Sequence, residues 1–259
     1  MKKYLKGLFL IPTLLLASCG LGKEITEEES KEISKNIAAE AAKQKDVAFE
    51  LSMSGTNGKN KEKTNLEYKM KLAENGDKYY YAFQEQGENK AFFEVYQVAN
   101  ETYDEVTWVK YLSEGKEVTA AYAKKGNEIT YEASVATFVA SASFGPGAFY
   151  MMFSSPEIFV SDYVDSQSEN ATIKYYSNGE KNLSIKATVK NEEKPEDSGD
   201  SDEWVKEGSF LVTYDNNLLK SLEVSSTTNL GNKATGKGKA SYGAQKISLP
   251  KGWEDLLAK

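Results

Sequence analysis

The chain has 259 residues, and its 39 acidic and 32 basic residues give a formal net charge of −7 at pH 7. It contains neither histidine nor arginine, which removes the base of a Ser-His-Asp triad and the usual ligand of catalytic zinc, so we expect neither an enzyme nor a metal or cofactor. The acidic balance argues against nucleic acid as a partner, because nucleic-acid binding favours basic patches.

Residues 1–18 have the pattern of a bacterial secretory signal. Three lysines form a basic start, and Leu8 to Leu16 is an apolar run too short for a transmembrane helix, which needs about 20 residues. The run ends in Leu16-Ala17-Ser18-Cys19, which holds the only cysteine of the chain and resembles the lipobox of bacterial lipoproteins. By that resemblance the signal is cleaved, Cys19 becomes an acylated N-terminus, and residues 19–24 form a tether. The alternative is a free cysteine after an ordinary signal peptide.

Acylation of Cys19 predicts a protein at the outer face of the bacterial cell membrane, or on the periplasmic side of a membrane if the host has two. Two acyl chains anchor a protein stably where one does not. Removal of residues 1–18 leaves a net charge of −10. The predicted membrane contact is therefore the anchor rather than a basic patch.

A helix is predicted after the tether, followed by a first set of strands. Thr26 and Glu29 match the capping box, and Ile33, Ile37 and Ala41 recur every four residues. From Val47 the apolar period changes to two, and turn signals such as Asn75-Gly76 separate the strands. The predicted strands are 47–54, 66–72, 77–86, 90–99, 102–112 and 118–123, with a further short strand at 129–131.

The middle of the chain, residues 133–156, contains no charged residue. A central Gly-Pro-Gly divides it, which predicts short helices at about 134–143 and 148–153 and a third near 157–163. The stretch is long enough for a membrane span. Its five serines and the lack of flanking basic residues favour the short helices.

Alternating strands return in the last third of the chain. The stretch 192–203 is acidic and fails the EF-hand register, so it is predicted to be a solvated loop. Gly236-Lys237-Gly238-Lys239 lacks the spacing of a phosphate loop and is predicted to be a turn or a flexible strand edge. The predicted strands are 172–176, 183–189, 204–214, 218–228, 234–242 and 246–249, followed by a short tail.

This order predicts a mainly β (α+β) fold with an antiparallel meander, in a single domain over residues 25–259. With its lipobox, N-terminal helix, apolar middle and closing strand YGAQKISLPKGW (residues 242–253), the chain resembles the LolA/LolB/LppX-like lipoprotein superfamily. The resemblance implies a curved half-barrel whose open side is closed by the N-terminal helix and a mid-chain apolar helical lid. It also implies a cavity for lipid or acyl chains.

The apolar concave face of such a sheet must be covered, and loosely packed helices leave an apolar cavity. The candidate cavity residues from the lid are Phe138, Phe144, Phe149, Tyr150, Met151, Met152 and Phe153, and those from the sheet are Tyr68, Met70, Tyr81 and Phe92. The alternative is that these side chains pack as an ordinary core.

The sequence therefore predicts a membrane-anchored lipoprotein that binds a lipid or another acylated ligand for carriage, delivery or sensing, without changing it covalently. The alternative function is an envelope scaffold or protein-interaction module without a small-molecule ligand. An enzyme that uses carboxylates is the weakest class, because no recognisable motif arranges them. The identity of a protein partner is not indicated.

Overall fold

The computed structural model describes residues 21–126, 153–156, 160, 171–195 and 202–257. Within these ranges the protein is mainly β, with a twelve-stranded antiparallel sheet, helix α1 (Glu27–Ala41) and the 3-10 helix η1 (Trp253–Leu256). The strands are β1 (Lys23–Ile25), β2 (Val47–Thr56), β3 (Lys63–Leu72), β4 (Lys78–Gln86), β5 (Asn89–Val98), β6 (Glu105–Ser113), β7 (Lys116–Lys124), β8 (Ala171–Ser177), β9 (Leu183–Lys190), β10 (Val205–Asp215), β11 (Leu218–Thr228) and β12 (Lys233–Tyr242). Among the described helices, none has the length and apolar character needed to cross a membrane.

The sheet consists of two meanders, β2 to β7 and β8 to β12, in which consecutive strands are neighbours. Pairing of β12 with β2 joins the two meanders, and β1 pairs with β8. In the described sheet β1 and β7 are the end strands, so the sheet is open. Each strand from β2 to β12 overlaps a predicted one, whereas the three residues of β1 are too few to give a recognisable pattern.

Helix α1 begins with the predicted capping box. The Thr26 hydroxyl accepts a hydrogen bond from the Glu29 N–H at 3.2 Å, and the Glu29 carboxylate accepts one from the Thr26 N–H at 2.8 Å. Ile33, Ile37 and Ala41 are buried along one side of the helix. This side packs mainly against β8, β9 and β11.

The two faces of the sheet differ, and we name them by their residues. The core face carries the main apolar cluster, and the outer face is opposite. One cross-strand row of the core face is Ala240, Phe49, Met70, Tyr80, Val95, Val109 and Ala120. The adjacent row of the outer face is Ala48, Lys71, Tyr79, Tyr96, Trp108 and Ala121.

The Gly-Lys-Gly-Lys stretch lies in the middle of the sheet, which corrects the prediction of a turn or strand edge. It belongs to β12, between β11 and β2. A Cβ atom on Gly238 would lie 2.8 Å from Cζ of Phe49, and one on Gly236 would lie 2.8 Å from Cγ of Met53. The glycines therefore give space to the larger side chains of β2 on the core face.

The segment after β12 is not the predicted closing strand. Residues 246–249 are outside the sheet, and residues 243–257, which we name the strap, cross the outer face. Ile247 is buried there, and Leu257 forms an isolated bridge with Ala121 of β7. Pro250 cannot donate a ladder hydrogen bond, which is one reason why the segment covers the sheet instead of extending it.

Candidate ligand-binding face

The core face holds one apolar cluster that extends across both meanders. Side chains of α1, β2 to β6 and β9 to β11 take part in it. The largest of its wholly buried members include Tyr80, Tyr214, Phe49, Ile37, Met70, Leu183 and Ile185. This cluster is the core predicted by the alternation of apolar and polar residues.

Apolar side chains that are only half-buried pack against the cluster on both meanders. Helix α1 lies against the part of the core face formed by β8, β9 and β11. It makes few contacts with β3 to β7, where six of these half-buried side chains lie. These half-buried residues are Tyr68, Leu72, Phe93, Val118, Ala120 and Tyr122.

Three of the predicted cavity residues lie on this face. Met70 is buried opposite Phe49, and Tyr68 is half-buried two residues before it. Phe153 is also buried, and its ring stands edge-on to Phe49 at 6.0 Å and to Tyr242 at 6.3 Å. The structure thus brings the end of the uncharged middle segment to the centre of the core face.

The remaining candidates of the middle segment lie outside the described residues, as does the proposed acylation site. These residues are Phe138, Phe144, Phe149, Tyr150, Met151, Met152 and Cys19. Several predicted elements also lie outside the described residues. These are the helix at 134–143, most of the helices at 148–153 and 157–163, and the strand at 129–131.

Tyr81 and Phe92 are on the outer face, which corrects their assignment to the cavity. The Lys69 ammonium lies 5.2 Å from the centre of the Tyr81 ring, and the Lys110 ammonium lies 5.6 Å from that of Phe92. Successive side chains of a strand point to opposite faces. The core-face positions therefore belong to their neighbours Tyr80 and Phe93.

Tyr80 is the residue of interest that sequence reasoning missed. It is 0% exposed, and its hydroxyl has no hydrogen-bond partner among the described residues. A buried polar group without a partner costs about 1–3 kcal/mol. The signal that could have found Tyr80 is its position in β4. Tyr80 pairs with Met70 of β3, so it lies on the same face as that predicted cavity residue.

Both tyrosines of this region remain neutral hydrogen-bond donors at physiological pH. Burial raises the pKa of Tyr80 well above its usual value, and the nearby Tyr68 adds to that shift. Burial also raises the pKa of Tyr68 to about 12. An apolar surface that contains a neutral buried hydroxyl is chemically suited to a mostly apolar molecule with one polar acceptor.

Comparison with solved structures finds several matching chains. One is a DUF1329 family protein from Desulfovibrio piger, with 12% sequence identity, coverage of 86% of this chain and 97% of that chain, and a TM-score of 0.27. No family model and no curated protein matches the sequence. The function is therefore argued from the residues of this chain.

Proposed function

We propose that the protein is an acyl-anchored lipoprotein that binds a lipid or another acylated molecule on its core face. It would carry, deliver or sense that ligand without changing it covalently. In this proposal the open sheet is a curved half-barrel, and the uncharged middle segment is its lid. The support is the half-buried apolar surface over β3 to β7, together with the position of Phe153 above Phe49.

The proposed anchor fits the position of the first strand. Lys23 begins β1 only four residues after Cys19. Strand β1 therefore takes up the end of the tether predicted at residues 19–24. An extended chain spans at most about 3.6 Å per residue, so the part from Cys19 to Lys23 reaches roughly 14 Å. Acylation of Cys19 would therefore hold the β1 end of the sheet close to the outer surface of the membrane.

The observation that carries the ligand proposal is the Tyr80 hydroxyl. It is buried within the apolar cluster and has no partner among the described residues. A carbonyl or hydroxyl of an acylated ligand would accept its hydrogen bond, and the acyl chain would cover the neighbouring half-buried side chains. Each CH₂ group removed from water contributes about 0.8 kcal/mol.

Native mass spectrometry of the protein purified from its own host tests this proposal. We expect a bound lipid that organic extraction removes. The variant Phe93→Asn, on the core face of β5, should reduce the amount of bound lipid. Phe92→Asn is the matched control, because it changes the neighbouring residue on the outer face.

Circular dichroism would verify that both variants fold. If Phe93→Asn fails to fold, Tyr80→Phe supplies the second variant, since it removes only the hydroxyl. Wild-type protein without any lipid, or equal lipid content in the two phenylalanine variants, would contradict the proposal. An empty protein would instead favour the envelope scaffold.

A further inference from the structure

A pocket, which we name the strap pocket, lies on the outer face of the sheet, on the opposite side from the proposed lipid site. The strap forms one wall where it crosses β2, β3 and β4. The volume of the pocket is about 410 Å³, which is in the range of small-molecule sites. Its polar lining comes from Glu50, Lys69, Lys71, Tyr79 and Tyr96 of the sheet and Lys246 and Ser248 of the strap.

Two of the charges in this pocket are already compensated. The Lys69 ammonium lies 3.6 Å from the Glu67 carboxylate, and the Glu50 carboxylate lies 3.1 Å from the Lys239 ammonium. These side chains are about half exposed, so each pair contributes little to stability. What matters for binding is that neither pair leaves a net charge in the pocket.

Lys71 and Lys246 have a different electrostatic environment. Neither forms an ion pair with a carboxylate among the described residues. The ammonium of Lys71 lies 5.8 Å from the centre of the Tyr79 ring, which orients it by a cation–π contact. The pocket therefore holds two lysines that have no ion-pair partner among the described residues, although the whole chain has a net charge of −7.

The two tyrosines form a rigid wall next to these lysines. The rings of Tyr79 and Tyr96 are 4.7 Å apart, and Tyr96 packs edge-on against Trp108 at 5.5 Å. The Tyr96 hydroxyl donates a hydrogen bond to Glu94 at 3.0 Å. Glu94 does not line the pocket, and its carboxylate interacts with the hydroxyls of both tyrosines.

We infer that the strap pocket binds an oxyanion, namely the phosphate or carboxylate group of a small molecule or of a lipid headgroup. Lysine binds such groups as a point charge and does not need the bidentate geometry of arginine. Lys71 would provide a charge fixed on the sheet, and Lys246 would provide one from the strap. Binding would thus connect the C-terminal segment with β3.

Nuclear magnetic resonance titration of the full chain in mild detergent tests this inference. The probe is inorganic phosphate, and sodium chloride at equal ionic strength is the reference. We expect saturable shifts in the backbone amides of β3, β4 and residues 245–248. In the double variant Lys71→Gln, Lys246→Gln the affinity should fall at least tenfold.

The matched control is the double variant Lys220→Gln, Lys237→Gln, which loses the same charge at lysines that do not line the pocket. It should bind phosphate as the wild type does. Shifts no larger than those caused by chloride, or equal affinities of the two double variants, would overturn the inference.

A competition experiment with vesicles assigns the source of the oxyanion. If phosphatidylcholine vesicles that contain phosphatidylglycerol compete with phosphate, and vesicles without it do not, the oxyanion belongs to a lipid headgroup. If neither kind of vesicle competes, the oxyanion belongs to a soluble molecule. Because the double variants leave the core face unchanged, their lipid content reports on the proposed function separately.

Discussion

The two faces of the sheet both bury apolar side chains, but they do so by different means. The core face forms one cluster with side chains of β2 to β6 and β9 to β11, against which α1 and Phe153 of the middle segment pack. The outer face is buried mainly over β2 to β7, where the strap crosses it. Its buried apolar members are Ala48, Val98, Val106, Trp108, Ala121 and Ile247. Apolar character alone therefore does not tell which face of these strands carries the main core.

The outer face of the other meander makes the difference clear. In β9 the residues of the outer face are polar, as at Lys186 and Thr188, while Ile185 and Ala187 are buried on the core face. Here the strap is not involved, and the alternation of the sequence identifies the buried side correctly. On the outer face of β2 to β7, by contrast, the strap lies beside Ala48 at Ile247 and bridges Ala121 at Leu257.

The largest effect is expected at the centre of the core face. Phe49 is wholly buried between Phe153 and Gly238 of β12. We expect Phe49→Ala to lower the free energy of unfolding by about 3–5 kcal/mol, measured by urea denaturation. Ser52→Ala, at an exposed position on the outer face of the same strand, is the control and should change it by less than about 0.5 kcal/mol.

A smaller effect is expected where the strap meets the outer face. Ile247 is buried beside Ala48, Tyr79 and Tyr96. Ile247→Ala should reduce stability by about 2–3 kcal/mol and increase cleavage of the strap in limited proteolysis. Unchanged stability and cleavage would mean that the strap does not cover the outer face.

Removal of the Tyr80 hydroxyl distinguishes a filled core from a binding surface. In lipid-free protein, Tyr80→Phe should leave stability unchanged or raise it by up to about 1 kcal/mol, since the hydroxyl has no partner among the described residues. In lipid-bound protein the same change should lower stability. The measurement is urea denaturation before and after extraction, and a loss of stability in the lipid-free protein would contradict the assignment.

The smallest expected effect is in the alkaline range, on the outer face. Burial, followed by the charge of Glu94, raises the pKa of Tyr96 from 10 to about 12. The folded state therefore holds the Tyr96 proton more tightly than the unfolded state does. The contribution of this proton to the free energy of unfolding is complete below pH 10 and is lost as the pH rises to about 12. Urea denaturation between pH 9 and 12 should show that the free energy of unfolding declines less steeply with pH for Tyr96→Phe than for the wild type. Equal slopes for the two proteins would refute the raised pKa of Tyr96.

Much of this architecture could be predicted from the sequence, and the failures have physical causes. The Thr26 capping box and the strands β2 to β12 follow from local chemistry and period. Tyr81 and Phe92 were assigned to the wrong face because both faces of β4 and β5 carry aromatic residues, so alternation gives no preferred side. The central position of Gly238 depends on the pairing of β12 with β2, which are far apart in the chain and leave no local pattern.

Photo-crosslinking of a bound acyl chain tests the distinction between the two faces most directly. The host would be grown with a diazirine fatty acid, the purified protein irradiated, and the labelled residues identified by peptide mass spectrometry. We predict labels on core-face residues of β3 to β7, such as Phe93 and Val118, and none on Phe92. Labels confined to the outer face, or their absence from the whole sheet, would contradict the account.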